Sequence, residues 1–93
     1  MNTFIERMKD SVIQAIDAEQ ELTRILSREI SKQIARSFFD DCIINNTKID
    51  STIDINMHAY GLCIGGNDND GAIEALDRVI KIQMLNIKNK HCE

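Results

Sequence analysis

The residues with the clearest chemical potential are the aspartates around the glycine-rich turn that precedes the last predicted helix. Asp68, Asp70 and Asp77 match three ligand positions of a calcium-binding loop, and Gly71 matches its invariant glycine. The first position of that loop is Gly66, which has no side-chain oxygen, and Asp replaces the usual final Glu. Asp68, Asp70 and Asp77 are therefore candidate cation ligands, while the simpler interpretation is a capped turn.

Histidine, tyrosine and cysteine side chains are the other candidates. His58 and Tyr60 lie close to this turn in sequence and form, with the aspartates, a candidate ligand site. Cys42, Cys63 and Cys92 form neither a CxxC pair nor a zinc-ligand spacing, so we expect no metal site and no cofactor. His58 and Cys63 lack an orienting third group, and we therefore expect no enzymatic activity.

Length and composition predict one small helical domain over residues 1–93. The chain has 43% apolar residues, and 11 basic against 15 acidic side chains give an acidic net charge of −4. This balance argues against general nucleic-acid binding, and no apolar run approaches the ~20 residues that a membrane span needs. An odd number of cysteines without a disulfide framework indicates reduced thiols. We expect a soluble, cytoplasmic protein that does not contact membranes.

The first half of the chain predicts one long amphipathic helix over residues 3–44. There is no proline, and the first glycine is Gly61. At 100° per residue, ten apolar side chains fall within a stripe about 120° wide. They are Phe4, Ile5, Met8, Val12, Ala15, Ile16, Leu22, Leu26, Ile30 and Ile34. Glu19 lies on the centre line of this stripe, so either the helix bends near residue 19 or Glu19 sets the register of a helix interface.

The middle segment, residues 47–64, fits two patterns. Ile53, Ile55 and Met57 alternate with polar residues, as in a half-buried strand. Ile53, Met57, Tyr60 and Ile64 are also spaced as one face of a helix that stops at the following glycines. A strand needs a partner and the chain offers no second clear strand, so a short helix or an irregular segment is favoured.

A C-terminal helix is predicted over residues 71–89, with Asp70 as its cap. Its apolar face consists of Ala72, Ile73, Leu76, Val79, Ile80, Met84 and Ile87. The overall expectation is a mainly α fold of long N-terminal helix, middle segment and C-terminal helix, in an oligomeric helical assembly.

The length of the first predicted helix supports an oligomer, either a dimer or a larger assembly. A 42-residue helix is about 60 Å long, whereas the C-terminal helix reaches about 30 Å and cannot cover it. Large exposed apolar stripes mark association sites, so either the first helix folds back or another chain covers it. The predicted interface residues are Ile5, Met8, Val12, Ile16, Glu19, Leu22, Leu26, Ile30, Ile34, Phe38 and Phe39.

The opposite face of this helix carries a basic ladder, Arg24, Arg28, Lys32 and Arg36, at i, i+4 spacing. Like charges at this spacing repel by a few tenths of a kcal/mol per pair, so acidic groups are expected alongside. The ladder has three interpretations: a solvated face with local Glu partners, a recognition face, or a phosphate-binding row. As a recognition face it would meet, in a second copy, the acidic residues of the first half of the helix, which are Glu6, Asp10, Asp17 and Glu21.

These patterns favour a non-enzymatic protein that self-associates through its long helix and binds another macromolecule, with a protein as the expected partner, as an adaptor or inhibitor. One alternative is a binder of a metabolite or nucleotide, with a pocket between chains near His58 and Tyr60. The other is a nucleic-acid binder that uses the basic ladder, which the acidic net charge disfavours.

Overall fold

The computed structural model describes residues 2–91, apart from the side chains of Asn2 and Phe4, and Cys92 lies outside it. This part of the chain forms three helices: α1, Asn2–Asn45; α2, Ile49–Gly65; and α3, Asn69–His91. The predicted long and C-terminal helices are confirmed, each one or two residues longer at both ends. In the middle segment the helix is confirmed, whereas the strand alternative is wrong, since no described residue lies in a strand.

Short turns connect the helices and make neighbouring ones antiparallel. Asn46 and Lys48, between α1 and α2, have left-handed backbone conformations, as does Asn67 between α2 and α3. Asparagine tolerates this conformation better than most residues, which explains why α1 stops at the Asn45-Asn46 pair. The side chains of Asn46 and Asn89 exchange two hydrogen bonds, of 2.7 and 3.1 Å, which tie the first turn to the end of α3.

The start of α3 differs from the prediction. The helix begins at Asn69, and the carboxylate of Asp68 accepts a hydrogen bond of 3.1 Å from the backbone N–H of Gly71. Asp68 is therefore the N-cap, two residues before the predicted Asp70. A Cβ atom at Gly71 would stand 2.8 Å from the sulfur of Cys63, so this glycine lets α3 approach α2 closely.

The molecule is strongly elongated. Its principal extents are 78 × 19 × 15 Å and its radius of gyration is 20.0 Å, whereas a compact chain of this length would have about 12 Å. The elongation comes from α1, whose residues 5–27 are all exposed. We call residues 2–27 the arm and residues 28–91, where α2 and α3 pack on the rest of α1, the body. The arm does not fold back on the rest of the chain. The alternative in which the first helix covers its own apolar stripe in this way is therefore wrong.

The core of the body is narrow and built from small side chains. Ala35 and Cys42 of α1 meet alanines and cysteine of the other two helices, and only Val79 and Ile82 contribute large apolar groups. The remaining buried apolar residues are Ala59, Cys63, Ala72 and Ala75. Small residues let helix axes approach closely, but they bury little apolar surface per residue.

The buried face of α2 is shifted by one residue from the predicted one. The structure buries Thr52, Asn56, Ala59 and Cys63. Met57 and Ile64, which the helical pattern assigned to the interior, are exposed. The prediction failed because two of the buried residues are polar, and their hydroxyl and amide groups are satisfied by hydrogen bonds inside the body.

Candidate functional site

The predicted apolar stripe of α1 is present and uncovered. Eight of its side chains are between 45% and 57% exposed: Ile5, Met8, Val12, Ile16, Leu22, Leu26, Ile30 and Ile34. Ile13 and Ile25 are exposed as well, but each lies about 120° from the centre line of the stripe and therefore outside it. An exposed apolar surface of this length is typical of an association site.

The body leaves the stripe open because α2 and α3 pack against a different side of α1. The buried positions of α1 are Ala35 and Cys42, which lie on one line of the helix. Ile30 and Ile34 project about 100° or more away from that line, since each residue advances by 100°. The stripe therefore continues past the arm and along the outer side of the body.

Phe38 and Phe39 occupy an intermediate position. Both are half-buried at the end of α1, where adjacent residues point about 100° apart. The body covers part of each ring, and neither belongs to the fully open stripe. Their predicted place in an interface is therefore restricted to the parts of the rings that remain accessible.

Glu19 lies in the open stripe and is exposed. Within the described residues its carboxylate has no ion-pair partner, and its backbone carbonyl accepts a hydrogen bond of 3.0 Å from the hydroxyl of Thr23. The helix α1 runs through this position from Asn2 to Asn45. Any chain that covered the stripe would therefore have to accommodate this carboxylate.

The counter-charges of the basic ladder come from the same chain. Lys32 donates a hydrogen bond of 2.7 Å to Asp68, and Arg36 donates one of 2.9 Å to Glu74. Local partners add to this, because Arg24 pairs with Glu21 at 3.2 Å. The structure thus pairs Lys32 and Arg36 with the α2–α3 turn and the first turns of α3, while Arg24 pairs within α1.

Arg28 is the fourth ladder residue. Its Nε atom lies 3.7 Å from the Asp68 carboxylate, and its guanidinium lies against Gly66, where a Cβ atom would collide with it. Gly66 follows the last residue of α2. The C-terminal end of a helix carries a partial negative charge, because its last carbonyl groups have no partner within the helix. Arg28 therefore helps to fix the C-terminal end of α2 to α1.

Asp68 links these parts of the body. The hydrogen bond from Lys32, and then that from the Gly71 N–H, lower the pKa of Asp68 below its ordinary 3.8. The same hydrogen bond, which Lys32 donates to Asp68, is the main cause that raises the pKa of Lys32 above 10.5. One carboxylate thus caps α3 and pairs with two residues of the ladder, Lys32 and Arg28.

The replacement Asp68→Asn should lower the urea midpoint of unfolding at neutral pH, because it removes the ion pairs while an asparagine still caps α3. Asp68→Ala should lower it further, because the cap is lost too. Asp70→Asn is the matched control, since Asp70 is an exposed acid two residues further on and a small effect is expected. An equal loss in all three variants would contradict the role of Asp68.

The same pair makes the body's stability depend on pH. A folded pKa below 3.8 means that the contribution of Asp68 is present above pH 3.8 and is lost as the pH falls through the folded value. A folded pKa above 10.5 means that the contribution of Lys32 is present below pH 10.5 and is lost at higher pH. We expect the difference between the native chain and Asp68→Asn to persist between these limits and to shrink outside them.

The candidate ligand residues do not converge. His58 lines a hollow with Ser31 and Ile34, whereas Tyr60 lines a different hollow with Ile64 and Ile73. Asp70 is exposed and Asp77 pairs with Lys81 at 2.8 Å. Over residues 2–91, no group of three histidine, cysteine or acidic side chains is arranged to hold a metal ion.

Two of the three cysteines belong to the core. Cys42 and Cys63 are buried and are free thiols. Burial raises the pKa of the Cys63 thiol, so it remains protonated and has little nucleophilic character at neutral pH. These residues pack as small apolar groups.

A buried polar cluster was not predicted from the sequence. Arg78 donates a hydrogen bond of 2.6 Å from Nε to the amide oxygen of Asn56. The amide nitrogen of Asn56 donates to the carbonyls of Thr52 and Ala35, at 2.9 and 3.3 Å. One feature of the sequence could have indicated this cluster. The helical spacing of Gly71, Ala75, Arg78 and Ile82 places the arginine on the same face of α3 as the small residues.

A second apolar surface comes from the predicted apolar face of the C-terminal helix. The predicted face of α3 divides: Ala72 and Val79 are buried, and the remaining five residues are exposed. These are Ile73, Leu76, Ile80, Met84 and Ile87, and we call them the outer face of α3. The protein therefore carries two open apolar surfaces.

In the described part of the chain, none of the helices has the length and hydropathy required to cross a membrane. No protein-family model, curated protein or solved structure matches this sequence.

Proposed function

We propose that this protein is a non-enzymatic assembly protein that self-associates through the apolar stripe of α1 and binds a further protein as an adaptor or inhibitor. The observation that carries the proposal is the stripe itself, whose large side chains stay about half exposed while α2 and α3 pack elsewhere. Eight such side chains offer a surface on the order of the ~800 Å² per partner of a standard protein interface.

The outer face of α3 supports the second part of the proposal. It presents apolar side chains over 14 residues, or about 21 Å of helix, on the side of α3 away from the core. A partner with an amphipathic helix would match such a row, as in other helix-in-groove complexes. Self-association through α1 leaves this face available, so assembly and recognition use different surfaces.

The charges give less support to a nucleic-acid binder. Lys32 and Arg36 are committed to Asp68 and Glu74, and only Arg24 of the ladder is largely exposed at its side chain. A phosphate row would have to displace these ion pairs. The separation of the hollows near His58 and Tyr60 likewise weakens the case for a shared small-ligand pocket.

The mass in solution tests the proposal. Light scattering during gel filtration should give at least twice the 10.6 kDa of the chain across micromolar concentrations. An elongated protein elutes earlier than a compact protein of the same mass, so the elution volume alone would overestimate the mass. The mass therefore has to be measured directly. A mass of one chain at every concentration would exclude self-association as the basis of function.

A further inference from the structure

Covering the stripe places Glu19 in an apolar contact. A carboxylate withdrawn from water is costly unless a cation or hydrogen-bond donors compensate it. The basic ladder lies on another side of α1; three of its residues are engaged with the body and Arg24 pairs with Glu21, so the ladder does not serve this purpose. The cation has to come from the arm or from the chain that covers it.

Lys9 is the basic residue of the arm closest to the stripe. With 100° per residue it lies about 80° from the centre line that Glu19 occupies. Its side chain lines the same shallow apolar hollow as Ile5, Met8 and Val12. Among the described residues Lys9 has no ion-pair partner, and ten residues, or about 15 Å along the axis, separate it from Glu19 of its own helix.

An antiparallel second copy resolves this separation. When two arms pair about residue 14, each residue n lies beside residue 28 − n of the other arm, so Lys9 of each copy meets Glu19 of the second copy. The same register sets Val12 against Ile16 and brings Ile5 to the level of Leu22 and Thr23. A two-fold axis produces the ion pair twice and closes the assembly as a dimer.

A parallel pairing in register is disfavoured by the same residues. It would place the two Glu19 carboxylates at the same level of the contact, where like charges repel. The two Lys9 side chains would also lie at one level. Charge complementarity therefore selects the antiparallel arrangement.

We propose that the arms of two copies pair antiparallel, with Lys9 of each arm beside Glu19 of the other as the contact that sets orientation and register. This inference rests on the proposed self-association through α1. The bodies then lie at opposite ends of the paired arms, with their outer faces of α3 open to partners.

Charge reversal tests the pairing in the full-length protein. Lys9→Glu and Glu19→Lys should each weaken dimerisation about tenfold or more, and the combined swap should restore most of the affinity, because it re-forms both ion pairs with opposite signs. Asp10→Lys, on the polar face of the arm, is the matched control and should leave the dimer unchanged. Sedimentation equilibrium measures the dissociation constants, and circular dichroism verifies that each variant retains its helices.

Three outcomes would overturn the pairing. The swap can fail to recover affinity, or the single reversals can have no effect, while the native chain remains a dimer; each outcome refutes this register and leaves self-association intact. In the third, Ile80→Asp separates the copies and the arm reversals do not, which would place the contact on the outer face of α3. A native chain that is monomeric refutes the proposed function itself.

Discussion

The double replacement Val12→Asp/Ile16→Asp is expected to convert the assembled protein into monomers. It introduces two carboxylates per copy at the centre of the stripe, where both side chains are about half exposed in the single chain and would be covered in the assembly. Full burial of each such side chain contributes ~1.5–3 kcal/mol to the free energy of association, and the variant loses part of this contribution at two positions in both copies. The total loss corresponds to an increase of about 100-fold or more in the dissociation constant. Light scattering against concentration measures the change.

A matched control adds the same charge to the other side of the arm. Thr3→Asp/Gln14→Asp places two carboxylates on the polar face, about 140–160° from the centre of the stripe, and should preserve the assembly. Neither pair touches the body, whose residues begin at position 28, so the thermal unfolding of the body should remain. If the control dissociated as readily as the stripe variant, net charge rather than the stripe would govern association.

The second large effect is expected at the buried polar cluster. Asn56→Leu should destabilise the body by about 3 kcal/mol, because the buried guanidinium of Arg78 loses the acceptor that lies 2.6 Å from its Nε. Asn56 is fully buried and Arg78 is 7% exposed, so water cannot replace the lost contact easily. Burial already lowers the pKa of Arg78 from its ordinary value, in keeping with its desolvation.

The double variant Asn56→Leu/Arg78→Met separates a missing hydrogen bond from poor packing. Removing both polar partners also removes the buried Nε–H donor that Asn56→Leu leaves without its acceptor, so this variant should recover much of the stability that Asn56→Leu loses. Urea unfolding gives the free energies, best in the Val12→Asp/Ile16→Asp background, where association does not contribute. If the double variant were less stable than Asn56→Leu by the full cost of Arg78→Met alone, the two residues would not be coupled.

The sequence determined which segments of this chain are helical. Without proline and without glycine before Gly61, nothing interrupts the 3.6-residue periodicity of the first helix, and the Asn45-Asn46 pair and the glycine-rich turn provide the stops. The local contacts that decide helix formation lie within four residues, and therefore a pattern in the sequence is sufficient to detect them. The same periodicity located the open stripe, since its residues repeat on one side of α1.

The tertiary structure decided which faces are buried. The predicted faces of α2 and α3 were the most apolar ones, but the helices meet through Ala35, Ala59, Ala75 and other small residues, which allow close approach. The polar pair Asn56 and Arg78 enters that contact because Asn56 accepts a hydrogen bond from Arg78 and donates to backbone carbonyls. Such pairings join residues 22 positions apart, and no local pattern encodes them.

The basic ladder shows the same division. Its spacing predicted that acidic groups would lie alongside, yet several acids of the chain were equally available by charge alone. Only the fold brings Asp68 and Glu74 within 3 Å of Lys32 and Arg36, because the α2–α3 turn reverses the chain beside α1. The positions of the helices and the spacing of charges along them follow from contacts between residues close in sequence, so the sequence alone predicts them. The choice of the packing face and of the ion-pair partners depends on long-range contacts, which exist only once the three helices have come together.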